Sequence, residues 1–294
     1  MNLKSLMTIL TVCTLLTTGC SFNNPFADSN PSSEDQKQSK KNNNEQNSQN
    51  DNNSKDQNGK EDKQQTDEKE DPSNNQPNLP SLEETVTVAA DGTKVVTNVN
   101  DSLVLVNKKR NLPAAFVPKN LTIPNVPFPF KEDVPKKKLQ GVAAKALEEM
   151  FAKAKEDNIP LFAQSGYRSY DRQEAIFASN VQQDGEEKAN KFSAHPGQSE
   201  HQTGLAMDVT SPAVNFELIE KFGETKAGKW VKQHAHEFGF IIRYPEGKSG
   251  ITGYQYEPWH LRYVGKEHAK RIHEQNVTLE EYMGVDVEQV NASK

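Results

Sequence analysis

SEHQTGLAMDVTS, residues 199–211, packs a turn, a strand and two potential metal ligands into one short run. Its second half alternates like a half-buried strand. Leu205, Met207 and Val209 point one way, and Ala206, Asp208 and Thr210 the other. Gly204 lets the chain turn tightly just before the strand, because glycine reaches backbone angles that other residues avoid. His201 therefore precedes the turn and Asp208 follows it, so the two can face each other despite their separation in sequence. A second stretch, EPWHLRY at 257–263, adds Glu257, Trp259 and His260 from a different strand.

These residue types suit metal-assisted hydrolysis. A catalytic zinc site typically has three protein ligands and one position left for water. His201, Asp208 and His260 would supply two imidazoles and one carboxylate. Glu257 lies three before His260 and would face away from it on a regular strand. Pro258 predicts a bend that brings both side chains into one cleft. Water acidified by a metal needs only a carboxylate as its base, and that acid can later protonate a leaving amine. Arg168, at the end of a predicted strand, is a candidate donor to a developing oxyanion. Taken singly, each residue also has an ordinary structural reading: the histidines as turn or surface residues, Asp208 as a loop cap. The chain has no HExxH motif. Nor does its folded part carry a serine acyl-enzyme motif set.

One domain is expected over 95–285. Ser102–Asn107 reads as an early strand, and the proline-rich 112–130 as an extended surface arm. A helix is predicted from Pro135 to Asp157, with Val142, Ala146, Leu147, Met150, Phe151 and Ala154 on one face. A strand over 159–165 leads to Arg168, and a second helix covers Tyr170–Asp184. A third helix runs from Lys226 to Glu237 and stops at Gly239. Strands follow at Phe240–Tyr244 and Tyr256–Tyr263, then helices at Lys266–Gln275 and from Thr278 to Tyr282. Helices first and antiparallel strands later predict an α+β class.

The N-terminus has a different character. Lys4, an apolar run from Leu6 to Leu16 and the pair Gly19-Cys20 read as a secretory segment, 1–19, too short to span a bilayer. It resembles a bacterial lipoprotein signal, with Thr17 at the place usually held by an aliphatic residue. A lipid on Cys20 would tether the protein to a membrane that it never crosses. Cys13 is the only other cysteine and lies in the segment to be removed, so no disulfide is expected. Residues 20–85 form the expected linker. Most of it has nothing with which to offset the entropy of folding, and so predicts a disordered tether. Sixty residues of random coil reach about 40 Å. The net charge of −6, and the absence of a basic block with interleaved aromatics, argue against a nucleic-acid partner. A monomer is expected.

SEHQTGLAMD resembles the SxHxxGxAxD motif of the VanY-type zinc D-alanyl-D-alanine carboxypeptidases, among the LAS metallopeptidases. EPWHLRYVG at 257–265 is similar to the ExxH segment of that family, and SGYRSYDRQ at 165–173 to its arginine segment. The resemblance covers roughly 102–284. It implies a small central antiparallel sheet flanked by helices. It also implies one zinc ion on His201, Asp208 and His260, with Glu257 as general base and acid and Arg168 steadying the substrate carbonyl. The implied substrate is the peptidoglycan stem peptide. Gln173, Ser193, Ser199 and Tyr263 are candidates to hydrogen-bond it, with Ser199 alternatively capping its turn. Trp259 either walls the pocket or packs the bend. His195 stands where relatives often carry arginine, and either touches the substrate or lies on a surface loop.

Three functions follow. A D,D-carboxypeptidase trimming pentapeptide stems leads. An L,D-carboxypeptidase removing D-alanine from tetrapeptides comes second. A non-catalytic wall-binding lipoprotein would predict a broken ligand set or no Glu257, and both are present.

Overall fold

The computed structural model describes residues 79–285. The secretory segment, Cys20 and most of the expected tether lie outside the described residues. The first elements form a small antiparallel hairpin, β1 (Val86–Val88) and β2 (Lys94–Val96), which begins ahead of residue 95. The Arg110 guanidinium ties down the chain before it, donating to Leu82 O at 2.9 Å and Thr85 Oγ1 at 2.7 Å.

Residues 102–107, expected as a strand, join no ladder. Leu103, Val104, Leu105 and Val106 are buried all the same. Buried carbonyls need partners, and here arginines supply them. Arg262 Nη2 donates to Ser102 O at 2.9 Å and to Val104 O at 2.8 Å, and Arg110 Nε to Leu105 O at 3.2 Å.

The arm at 112–130 is irregular except for β3 (Leu121–Thr122), which pairs with β4 (Leu139–Gln140). A 3-10 turn at Pro135–Lys137 precedes β4, so α1 (Gly141–Glu156) starts later than expected. Its buried stripe centres on Ala143, Leu147, Met150 and Ala154. At about 100° per residue Val142 lies roughly 110° from that centre, and it is 55% exposed.

β5 (Phe162–Ser165) leads to α2 (Tyr170–Asp184), capped by Ser169 Oγ accepting from Arg172 N. α3 (Glu186–Phe192) was not expected, because EEKANKF has almost no apolar stripe and buries only Ala189. β6 (Ala206–Thr210) follows, then α4 (Lys226–His234), whose continuation tightens to a 3-10 turn over Ala235–Phe238. The remaining elements are β7 (Phe240–Tyr244), α5 (Ser249–Thr252), β8 (Glu257–Tyr263), α6 (Lys266–Gln275) and α7 (Leu279–Tyr282). Among the described residues no helix is long and apolar enough to cross a membrane.

The class is α+β. Four strands form an antiparallel sheet in the order β5-β6-β8-β7. β6 is central and buried on both faces, not half-buried. Met207, Val209 and Leu261 share a core cluster with Leu147 and Met150 of α1. Each such side chain contributes about 1.5–3 kcal/mol on burial. Strand alternation sends Asp208, His260 and Arg262 to the opposite face. The site is built on that second face.

Candidate metal centre

The ligand turn is a buried 3-10 turn, Glu200–Thr203, ended by Gly204 at φ 66°. A Cβ on Gly204 would meet Leu121 Cδ2 at 2.9 Å, so both conformation and space call for glycine. The proline-rich arm holds the turn from outside: Gln202 Nε2 donates to Pro113 O and Phe116 O at 3.1 and 3.2 Å. Gln140 Nε2 donates to Thr203 O at 2.7 Å.

The outward atoms of both histidines are engaged. His201 Nδ1 lies 2.8 Å from Gly166 O. A carbonyl only accepts, so Nδ1 carries the hydrogen and Nε2 presents its lone pair to Asp208 Oδ2 at 3.3 Å. Asp208 and His260 are direct partners across β6 and β8. His260 Nδ1 lies 3.2 Å from Asp208 Oδ1, while its Nε2 faces Glu200 Oε2 at 3.4 Å. The three ligand atoms lie within 4.8 Å of one another.

This set fits a tetrahedral cation. Ligands about 2.1 Å from such an ion stand about 3.4 Å apart, close to the 3.3 Å from His201 to Asp208 Oδ2 and the 3.2 Å from His260 to Asp208 Oδ1. Asp208 Oδ1 is buried and faces His260 Nδ1 at 3.2 Å. Two imidazoles and a carboxylate suit a borderline-soft divalent metal and leave a position open.

Glu257 comes to the ion side through a bulge. Between the pairs Ile242↔Leu261 and Tyr244↔Glu257, two steps along β7 oppose four along β8. The strand survives Pro258, and the shifted register brings Glu257 Oε2 within 3.7 Å of His260 Nδ1. Arg168 Nη1 donates to Gln173 Oε1 at 2.8 Å and Nη2 to Ser165 Oγ at 3.3 Å. His201, Asp208, His260, Glu257 and Arg168 line a cleft of about 220 Å³ with Ser193, Ser199, Trp259, Tyr244 and Tyr254.

The other candidates divide. Ser199 makes no side-chain cap and lines the cleft. Trp259 does both things asked of it, walling the cleft and packing in the core cluster. Gln173 is not a lining residue. It is buried and holds Arg168, with its Nε2 donating to Ala194 O at 2.6 Å. Tyr263 also falls outside the cleft. Regular alternation resumes after the bulge, so Tyr263 shares the face of Leu261 and packs edge-on against Phe240. His195 packs at a tilt against Phe177, while His234 stacks on Trp230 and His236 on His273.

Electrostatics separate the two acids. Burial would raise the Asp208 carboxyl, but His201 and His260 outweigh it and hold the group well below the carboxylate range. Burial pushes Glu257 up to about 7, with His260 opposing and Asp208 reinforcing the rise. One acid thus stays ionised, as a metal ligand must be, and the other can exchange a proton near neutrality. Burial would lower His260, yet hydrogen bonds to Asp208 and Glu200 carry it up to about 9 in the metal-free site.

Glu200 escaped sequence reasoning. It is buried between Arg243 Nε at 2.7 Å and Arg262 Nη1 at 2.6 Å, and Arg243 also reaches buried Glu280. A signal existed. FIIRY and HLRYV each put an arginine inside an apolar strand, and such a charge needs a buried counter-charge.

The VanY D-alanyl-D-alanine carboxypeptidase model matches residues 136–266. The candidate carboxypeptidase YodJ of Bacillus subtilis (strain 168) is 53% identical over 192 residues, covering 65% of this chain and 70% of its own. The solved structure of the LdcB LD-carboxypeptidase, described as revealing peptidoglycan recognition, is 49% identical at TM-score 0.66. It covers 69% of this chain and 96% of its own. The vancomycin-resistance D,D-pentapeptidase VanY, solved as a mutant in complex with Zn(II), is 31% identical at TM-score 0.52. It covers 62% of this chain and 99% of its own.

Proposed function

Because the chain belongs to the VanY family of D-alanyl-D-alanine carboxypeptidases, we propose that it is a zinc carboxypeptidase releasing the C-terminal D-alanine of peptidoglycan stem peptides. The observation that carries this reading is the convergence of His201, Asp208, His260, Glu257 and Arg168 on one cleft. When bound, zinc supplies Lewis acidity to the scissile carbonyl and to water. The VanY relative solved with Zn(II) supports that choice of metal.

The side chains have distinct roles. Glu257 takes the proton of the attacking water and returns it to the leaving amine of D-alanine. An acid pushed up to about 7 suits both transfers. Arg168, braced by Gln173 and Ser165, donates to the carbonyl oxygen as it gains negative charge. Ser193 and Ser199 offer hydroxyls to the peptide, and Trp259 excludes water on one side.

The preferred substrate in this proposal is the tetrapeptide stem, cut with L,D specificity. The 49% identity to the LdcB LD-carboxypeptidase, against 31% to the D,D-pentapeptidase, supports this order of the two readings, opposite to the one expected from sequence. D,D action on pentapeptides is the second reading, favoured by the description of the matching family model. The proposal also places a monomeric enzyme outside the cytoplasm, held by a lipid on Cys20 through the tether.

The test offers zinc-loaded protein tetrapeptide and pentapeptide stems in parallel. Mass spectrometry reads the released alanine, with a chelator control. Alanine from the tetrapeptide supports the proposal, and alanine from the pentapeptide alone installs the second reading. No release from either, with zinc bound, refutes carboxypeptidase action.

A further inference from the structure

We infer that Glu200 is a positioning residue for the metal centre, holding His260 with Nε2–H outward and Nδ1 free for the ion. The inference rests on the zinc reading above. Its two carboxylate oxygens are divided between different tasks. Oε1 accepts from Arg243 Nε at 2.7 Å and from Arg262 Nη1 at 2.6 Å. Oε2 faces His260 Nε2 at 3.4 Å. With an ion held between His260 Nδ1 and Asp208, the hydrogen of the neutral ring belongs on Nε2, and the ionised Glu200 carboxylate, which only accepts, holds it there. The lone pair is thereby left on Nδ1, which is the nitrogen facing Asp208.

Glu200 cannot rotate away without leaving charges unpaired. Arg243 and Arg262 are 0% exposed, and Glu200 is 1% exposed. Arg243 is held from its far end by Glu280, with contacts of 2.7 and 2.6 Å. Arg262 is held by Ser102 O and Val104 O. Two arginines balance two glutamates. A paired buried network of this kind restricts side-chain freedom, while breaking it exposes an uncompensated charge to a low-dielectric interior. Glu200 also neighbours His201 in the ligand turn, so one rigid turn serves both imidazoles.

Glu280 supplies the control. It carries the same charge in the same network, but touches Arg243 and Asn107 and none of the ligands. Zinc dissociation constants are measured on the full chain with a competing chelator, for wild type, Glu200→Gln and Glu280→Gln. Melting temperatures are recorded alongside. We expect Glu200→Gln to weaken zinc about 10–100-fold, the range for loss of a partner to a ligating histidine. Glu280→Gln should lower the melting temperature comparably yet shift zinc affinity less than about threefold by the same argument. Wild-type affinity in Glu200→Gln, or an equal loss in Glu280→Gln, overturns the assignment. Failure of wild type to bind zinc instead overturns the metal reading on which it rests. Should Glu200→Gln not fold, ¹⁵N-histidine spectra of the zinc-loaded wild type decide: hydrogen on His260 Nε2 supports the inference, and hydrogen on Nδ1 defeats it.

Discussion

Asp208 and His260 occupy directly opposed positions on β6 and β8, and their facing atoms lie 3.2 Å apart. Two of the three candidate ligands are therefore set by ladder register rather than by loop conformation. A slip of one residue between the strands would put the two side chains on opposite faces of the sheet. The third ligand, His201, depends on the turn and on Gly166 O.

Glu257→Gln preserves shape but cannot take a proton. Zinc content by elemental analysis should match wild type, while kcat falls about 10²–10⁴-fold. Retention of wild-type kcat would remove Glu257 from proton transfer.

Zinc binding should be linked to pH through His260. Its ring, carried up to about 9 in the metal-free site, must lose a proton to become a ligand. Below that value zinc affinity should fall about tenfold per pH unit for each proton displaced, and above it the dependence should flatten. Calorimetry in buffers of different ionisation enthalpy counts the protons released, and the expected number near neutral pH is close to one.

Arg168→Met removes the donor aimed at the developing oxyanion but leaves the ligands in place. The expected loss is about 10²–10³ in kcat with a smaller change in KM. A loss confined to KM would make Arg168 a substrate anchor instead.

Gly204→Ala forces an L side chain into φ 66° and against Leu121. Urea unfolding should show a loss of at least about 1–2 kcal/mol. Zinc affinity should fall with it, because the strained turn carries His201.

Deleting 21–78 should leave kcat/KM on soluble peptides unchanged, since 35–78 has no aromatic or aliphatic residue with which to build a core. A large loss on small substrates would contradict its reading as a tether.

Legibility followed locality. The alternation of Leu205, Met207 and Val209 predicts β6, and α2 forms over the expected Tyr170–Asp184. Local pattern failed where side chains replaced backbone partners. Leu103–Val106 has the composition of a strand, yet Arg262 and Arg110 satisfy its carbonyls. It failed again at β8, where spacing alone cannot show how far a bulge extends. Glu257 was rightly drawn toward His260, but Tyr263 was drawn with it and lies on the other face.

By itself, then, the sequence determined the chemistry available: two imidazoles, one ligating carboxylate, a second acid and an arginine, in motifs close enough to suggest one centre. Residue type and near-neighbour spacing are local properties, and local backbone rules carry them. Only the tertiary structure decided how each group is tuned. Whether an acid is held ionised, like Asp208, or pushed up to about 7, like Glu257, depends on burial and on charges brought in from distant strands. The same holds for Glu200, whose partners Arg243, His260 and Arg262 lie 43, 60 and 62 residues away. Electrostatic interactions act through space, and no sequence separation reports the distance left after folding.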